Sequence, residues 1–217
     1  MFSPSFNPDD KSDMFVTSDM GGLYRTTNSG ESWELIHSDE IVVNPESKAQ
    51  FTDDPDILYC IDGNGWQTFP SKSTDGGATW DILAGDPTFG ETYYLYADPN
   101  NNERLLLTSY TNLYFSNDGG DNFTLVYNAP DLYIGGVYWN GDEIFVGCRT
   151  GMVVSTDNGA NFDLEPASGD LPADFGFLSF TGATEGGTTR LFGTARENWH
   201  MWPDMSPYEY WGDQKIY

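Results

Sequence analysis

Four octapeptides decide the fold: Thr26-Thr27-Asn28-Ser29-Gly30-Glu31-Ser32-Trp33, Ser73-Thr74-Asp75-Gly76-Gly77-Ala78-Thr79-Trp80, Ser116-Asn117-Asp118-Gly119-Gly120-Asp121-Asn122-Phe123 and Ser155-Thr156-Asp157-Asn158-Gly159-Ala160-Asn161-Phe162. They share one form, Ser/Thr-x-Asp/Asn-x-Gly-x-Ser/Thr/Asn-aromatic, and start 47, 43 and 39 residues apart. Each position suits a hairpin turn. The Asp or Asn accepts N–H bonds from the turn itself. The Gly supplies the positive φ that a tight turn requires. The aromatic opens the outgoing strand and can bury its ring between neighbouring sheets, which places Trp33 and Trp80 in the core. A periodic turn of this kind is sought first in any sequence, because it sets the architecture.

The flanks repeat as well. Before each turn comes an apolar run, a short turn and a second run: Met14-Phe15-Val16-Thr17 then Leu23-Tyr24-Arg25, Leu105-Leu106-Leu107-Thr108 then Leu113-Tyr114-Phe115, Ile144-Phe145-Val146 then Met152-Val153-Val154. After each turn comes a third run, such as Trp80-Asp81-Ile82-Leu83. With one more strand in front, for instance Tyr93-Tyr94-Leu95-Tyr96, each unit has four antiparallel strands in about 43 residues, the size of a propeller blade. The expectation is an all-β chain, a single β-propeller domain or fragment over 1–217, with blades near 1–40, 41–88, 89–130, 131–168 and 169–217. The fifth unit shows a strand pair (Phe177–Phe180, Arg190–Gly193) and no octapeptide, and Ile216-Tyr217 resembles the start of another strand. A propeller must close to remove its edges, so the chain is expected to join further blades from a longer protein or another subunit.

Composition narrows the partners. Nine Lys+Arg against 34 Asp+Glu give a formal charge of -25, which disfavours nucleic acid, whose phosphates need a basic surface, and an anionic membrane face. The apolar runs are only a few residues long, far short of a membrane span. Seven Trp, 13 Tyr and 14 Phe are too many for a disordered acidic tail. Cys60 and Cys148 sit in apolar runs and read as buried free thiols. The first ten residues have neither the basic start nor the apolar stretch of a secretion signal, which is expected to be absent or already removed. Acidity and Asn/Asp/Gly-rich loops suit an extracellular or cell-surface protein. No Cys/His cluster suggests zinc, and the Asp-rich loops lack the alternating spacing of a dedicated calcium loop. No metal or cofactor is expected.

The octapeptides resemble Asp-boxes, the turn motif (BNR repeat) of sialidases, sortilin-type receptors, photosystem assembly factors and xyloglucan-specific endoglucanases. The resemblance covers residues 1 to about 165 and implies that the box joins the third and fourth strands of a blade. It implies a structural role for Asn28, Trp33, Asp75, Trp80, Asp118, Phe123, Asp157 and Phe162. A second segment, Ser18-Asp19-Met20-Gly21-Gly22-Leu23-Tyr24-Arg25, is similar to the Thr-Asp-x-Gly-Gly-x-Tyr-Arg segment near the start of xyloglucanase-type hydrolases. There the Asp is one of two catalytic carboxylates, an acid for the leaving oxygen and a base for water, so the resemblance implies a catalytic role for Asp19. The family's second Asp lies in a distant second propeller, a context outside these 217 residues. Sialidase chemistry fits poorly: the chain has five Arg (Arg25, Arg104, Arg149, Arg190, Arg196), and the family's Arg-Ile-Pro segment is missing.

Aligned on the turn after the second strand, Asp19, Asp62, Tyr110, Arg149 and Arg196 take equivalent places. Such loops ring one mouth of a propeller channel, although surface loops are also polar simply because they are solvated. The alignment predicts a polar cup in which Arg149 offsets two carboxylates and Trp66, in an expanded loop Gly63–Phe69, forms a stacking wall. Trp199 and Trp202 crowd the tail with Tyr208, Tyr210 and Trp211. Aromatic faces stack on neutral sugars while Asp, Asn and Gln bind hydroxyls. Two functions follow: recognition, with hydrolysis, of a neutral glycan, or a non-catalytic sortilin-like propeller that binds protein.

Overall fold

The computed structural model describes residues 3–18, 22–43, 47–165, 172, 174–198 and 215–216. Nineteen strands occur among these residues, and none of them is in an α-helix. Their order is β1 (Ser3–Phe6), β2 (Met14–Thr17), β3 (Leu23–Thr26), β4 (Glu34–Leu35), β5 (Gln50–Phe51), β6 (Leu58–Asn64), β7 (Gln67–Ser73), β8 (Asp81–Ile82), β9 (Tyr94–Asp98), β10 (Asn101–Thr108), β11 (Asn112–Ser116), β12 (Thr124–Asn128), β13 (Ile134–Asn140), β14 (Glu143–Cys148), β15 (Gly151–Ser155), β16 (Asp163–Glu165), β17 (Phe175–Glu185), β18 (Thr188–Glu197) and β19 (Lys215–Ile216). Four consecutive strands make each of the first four sheets, and β17-β18-β19 make a three-stranded fifth. Residues 1–109 and 114–124 form one compact unit; residues 110–113 and 125–217 form a second.

The octapeptides turn the chain between the third and fourth strands of the first four sheets, and one hydrogen-bond pattern repeats in all of them. The Ser or Thr that ends the third strand accepts the N–H of the Gly four residues on, at 3.0 Å for Thr26–Gly30, 2.7 Å for Ser73–Gly77, 3.0 Å for Ser116–Gly120 and 2.9 Å for Ser155–Gly159. The same hydroxyl donates to Oδ1 of Asn28, Asp75, Asp118 or Asp157. That Oδ1 in turn accepts the N–H of the seventh residue, at 3.0 Å from Ser32 and 2.9 Å from Thr79, Asn122 and Asn161. The seventh side chain closes the ring: Thr79, Asn122 and Asn161 donate to Oδ2 of their aspartates. In the first turn the polarity reverses, and Asn28 donates to Ser32 Oγ.

The Gly at position five is required twice over. Its φ is +89° at Gly77 and +90° at Gly120. A Cβ there would also lie 2.6 Å from the Phe15 ring and 2.5 Å from Leu83 respectively. The turn of one sheet therefore presses its bare backbone against the side chains of the sheet before it.

In the first unit, one cluster joins Phe15 and Leu23 of the first sheet to Phe51, Leu58, Cys60 and Trp80 of the second. Another joins Tyr59, Ile61 and Leu83 to Leu95, Ala97, Leu105 and Leu107, with Phe123 packed against it. Cross-strand pairs reinforce these layers. Arg25, opposite Phe15, sits 5.3 Å over its ring, and Lys72, opposite Tyr59, sits 5.5 Å over its ring. Arg25 also makes two hydrogen bonds to Asp13, at 2.9 and 3.1 Å, and the Tyr59 hydroxyl donates to the Asn102 carbonyl at 2.7 Å. In the second unit Phe177, Phe180 and Ala195 of the fifth sheet pack with Tyr138, Phe145 and Met152 of the fourth.

One expectation about the turns is corrected. Trp80 is 8% exposed and donates Nε1–H to the Gly77 carbonyl at 3.0 Å, whereas Trp33 is 41% exposed. Trp80 enters the cluster that its sheet shares with the sheet before it. Trp33 is in neither buried cluster of its unit. Cys60 and Cys148 are both free and buried, and burial pushes the Cys60 thiol up to about 12.

Candidate functional site

The turns between second and third strands lie at the opposite sheet ends from the octapeptides, and they carry the candidate side chains. Asp19 falls in the β2–β3 turn; it lies outside the described residues, as do Trp199 and Trp202. The ends of the Asp19 loop are pinned, because Ser18 N–H donates to Gly22 O at 2.9 Å and Gly22 N–H donates to Ser18 Oγ at 3.2 Å.

Asp62 and Trp66 belong to the first unit. Strands β6 and β7 pair continuously from Leu58↔Ser73 to Asn64↔Gln67. The segment read as an expanded loop is thus a lengthened hairpin whose turn is only Gly65-Trp66, with φ +69° at Gly65. Trp66 stands at the tip and is fully exposed (104%). Asp62 sits within the ladder opposite Phe69, two pairs short of the turn, and its Oδ1 accepts the Val42 N–H at 2.9 Å. Burial raises the pKa of this half-buried carboxyl and the Val42 bond partly opposes the rise. It holds its proton to higher pH than an ordinary aspartate.

One residue here was missed. Phe89 is 85% exposed with φ +57° in a turn that lies against β7. The signal was present: Asp86-Pro87-Thr88-Phe89-Gly90 is a turn sequence with an aromatic at its apex.

Tyr110, Arg149 and Arg196 belong to the second unit, and one short segment links the first two. Tyr110 O accepts the Leu132 N–H at 2.6 Å, while Arg149 N–H donates to Tyr133 O at 2.9 Å and its guanidinium lies 3.5 Å from Asp131 Oδ2. Arg149 Nε donates to the Asn198 carbonyl at 3.0 Å. Arg196 pairs with Gly176 on β17, where a Cβ would meet Arg149 O at 2.2 Å. Both arginines are therefore buried around one close backbone approach. Within this unit the partners of the Arg149 guanidinium include Asp131 and the Asn198 carbonyl. The described side chain of this set that meets solvent is Tyr110, half exposed.

Among the described residues, no three His, Cys, Asp or Glu side chains cluster as a metal site. The arrangement offers carboxylate and amide hydrogen-bonding groups and exposed rings.

No family model matches the chain. The oligoxyloglucan-reducing end-specific xyloglucanase of Emericella nidulans is 25% identical over 189 residues, which cover 74% of this chain and 23% of that protein. The crystal structure of the GH74 xyloglucanase from Xanthomonas campestris superposes with a TM-score of 0.66 at 20% identity, over 90% of this chain and 33% of that one. The structure of YCF48 bound to D1 peptide superposes with a TM-score of 0.57 at 13% identity, over 90% and 62%. The fold is that of a β-propeller. Its blades are the four-stranded antiparallel sheets, and the chain spans about a quarter of the curated relative and a third of the bacterial hydrolase.

Proposed function

We propose that this chain is an extracellular Asp-box β-propeller that recognises a neutral polysaccharide of the xyloglucan type. Within a longer hydrolase it contributes one carboxylate to cleavage. The likeness to a xyloglucanase over 189 residues carries the reading, and it includes a glycoside-hydrolase character for the propeller. The Ser18–Arg25 segment supports Asp19 as the catalytic residue. An acidic surface of charge -25 disfavours an anionic ligand and tolerates a neutral one. Blades 1–40, 41–88, 89–130, 131–168 and 169–217 act as one domain, joined by further blades of a longer chain or another subunit.

Hydrolysis of a glycosidic bond needs two carboxyl groups flanking it, one to protonate the leaving oxygen and one to activate water. Asp19 supplies one, and the facing group comes from outside these 217 residues. Asp62, Trp66, Tyr110, Arg149, Arg196 and the tail aromatics Trp199 and Trp202 are the residues proposed to bind sugar. The second reading, a protein-binding scaffold propeller, is supported by the likeness to a peptide-bound YCF48 structure.

The test is calorimetric titration of xyloglucan and cellulose oligosaccharides into wild type and Asp19→Ala, with release of reducing ends assayed in the longest natural chain. Binding retained with turnover lost in Asp19→Ala is the expected result. Absence of binding to wild type overturns the glycan reading and favours the scaffold.

A further inference from the structure

Burial of large aromatic rings is the default in a folded chain, so two exposed rings on neighbouring backbones need a reason. Trp66 and Phe89 are such a pair, and the first unit alone contains both. The segment 86–92 runs beside the β6–β7 hairpin. Thr68 and Glu91 form a parallel bridge, Thr68 N–H donates to Gly90 O at 2.9 Å, Thr92 N–H donates to Thr68 O at 3.0 Å, and Thr68 Oγ1 donates to Thr92 O at 2.6 Å. Trp66 precedes one bridge partner by two residues and Phe89 precedes the other by two. The bridge sets the two backbones side by side at Thr68 and Glu91, two residues after each ring. Gly90 seals the approach, since a Cβ there would lie 2.8 Å from Gln67 Nε2 and 2.9 Å from the Phe69 ring.

The turn that carries Phe89 is built rather than slack. Asp86 Oδ1 accepts both the N–H and the hydroxyl of Thr88, at 2.8 and 2.7 Å, and Oδ2 accepts Gly90 N–H at 2.9 Å. Glu91 N–H donates to Thr88 Oγ1 at 3.2 Å. This frame holds Phe89 in the left-handed region, where a bulky residue is rare and where Gly or Asn would sit without cost. A ring kept at an unfavourable φ, pointing into water, on a turn locked by its own carboxylate, is preorganised for contact.

We propose that Trp66 and Phe89 form one stacking platform for the sugar rings of a neutral polysaccharide, with Gln67 and Glu91 beside it for hydroxyls. The proposal rests on the glycan reading above and assigns its contact surface in this unit. Segments 61–71 and 84–92 contain Asp62, Asp86 and Glu91 and no Lys, Arg or His, which disfavours an anionic ligand. A cationic ligand is held by enclosing aromatic cages, whereas these two rings are open to solvent. Open flat faces match the flat apolar faces of pyranose rings, and the exposed Gln67 and Glu91 offer a donor and acceptors at the rim.

The test is affinity electrophoresis in gels containing soluble xyloglucan, run beside tryptophan-fluorescence titration with its oligosaccharides. Trp66→Ala and Phe89→Ala are each expected to weaken binding by about tenfold or more. Phe89→Gly removes the ring and suits the positive φ, so it should bind as poorly as Phe89→Ala with Tm unchanged or raised. Phe192→Ala, an exposed ring in the other unit, should bind as wild type does. If wild type binds glycan and both platform variants bind equally well, the platform is overturned while the glycan reading stands. If no neutral glycan binds wild type, the reading itself fails and the platform with it. Salt-sensitive binding of oligolysine that depends on Trp66 and Phe89, or dimerisation that depends on them, overturns the sugar assignment.

Discussion

Each of the four four-stranded sheets has two kinds of turn at its two ends, and they obey different rules. Between third and fourth strands, the four octapeptides repeat the same ring of hydrogen bonds through Thr26, Ser73, Ser116 and Ser155. Between second and third strands nothing repeats: residues 18–22, the pair Gly65-Trp66, residues 109–111 and the pair Arg149-Thr150 differ in length and charge. The repeated end holds sheets against one another. The varied end carries no common motif, and such variable turns on a rigid scaffold are where ligand contacts arise.

That contrast breaks first, and hardest, at Trp80. Truncating it to Ala is expected to cost about 3–5 kcal/mol, read by urea denaturation, while Trp33→Ala should cost less than half as much because its ring already meets water. Equal costs would mean that the two turns are packed alike. Gly77→Ala comes next, at about 2–4 kcal/mol, since it combines a positive φ with a collision against Phe15. A melting temperature unchanged by Gly77→Ala would show that the turn yields.

Protonation sharpens the comparison. The Thr79 N–H is the main cause that lowers the Asp75 pKa; the Asn122 and Asn161 side chains, with their N–H groups, lower those of Asp118 and Asp157. Folded values below the unfolded one mean that these carboxylates add stability above the ordinary aspartate range, and that it is lost as pH falls through their folded values. Replacing all three by Asn should flatten the acid limb of stability against pH, as Asn28 already illustrates in the first turn. Asp62 has the opposite sign. Its raised pKa favours the fold at low pH, and that contribution is lost as pH rises from the unfolded value through the folded one. Asp62→Asn should leave stability at pH 7 unchanged or slightly higher; a marked loss there would show that the charged form is held by more than Val42. The smallest effect belongs to the varied end: Trp66→Ala should change stability by less than about 0.5 kcal/mol, a thermal melt being sufficient to check it.

These two ends also differ in how readily they were read. Octapeptide spacing and its flanking apolar runs specify four-stranded units, because turn chemistry and strand alternation are local and repeat. The partners of the turn hydroxyls and of the seventh side chains were not anticipated, although both follow from the same small ring. Trp33 was misplaced because burial depends on which sheet lies alongside, and that is not a property of the octapeptide. Trp66 is legible as an exposed ring, yet its hairpin reads as a loop, since Asn64 and Gln67 do not resemble strand residues and it is their backbones that pair. Phe89 went unread because a bulky residue at positive φ contradicts local preference. Arg149 reads as a surface charge, and only the approach of β17 at Gly176 buries it.

The two cysteines carry a consequence for how the folded chain meets oxidants. Burial pushes the Cys60 thiol well above its ordinary range, so it stays protonated at neutral pH, and the thiolate is the form that exchanges disulfides or meets oxidants. Cys148 is buried too, and its pKa is likewise raised by burial. Once folded, the chain therefore shields both thiols from disulfide exchange and from oxidants.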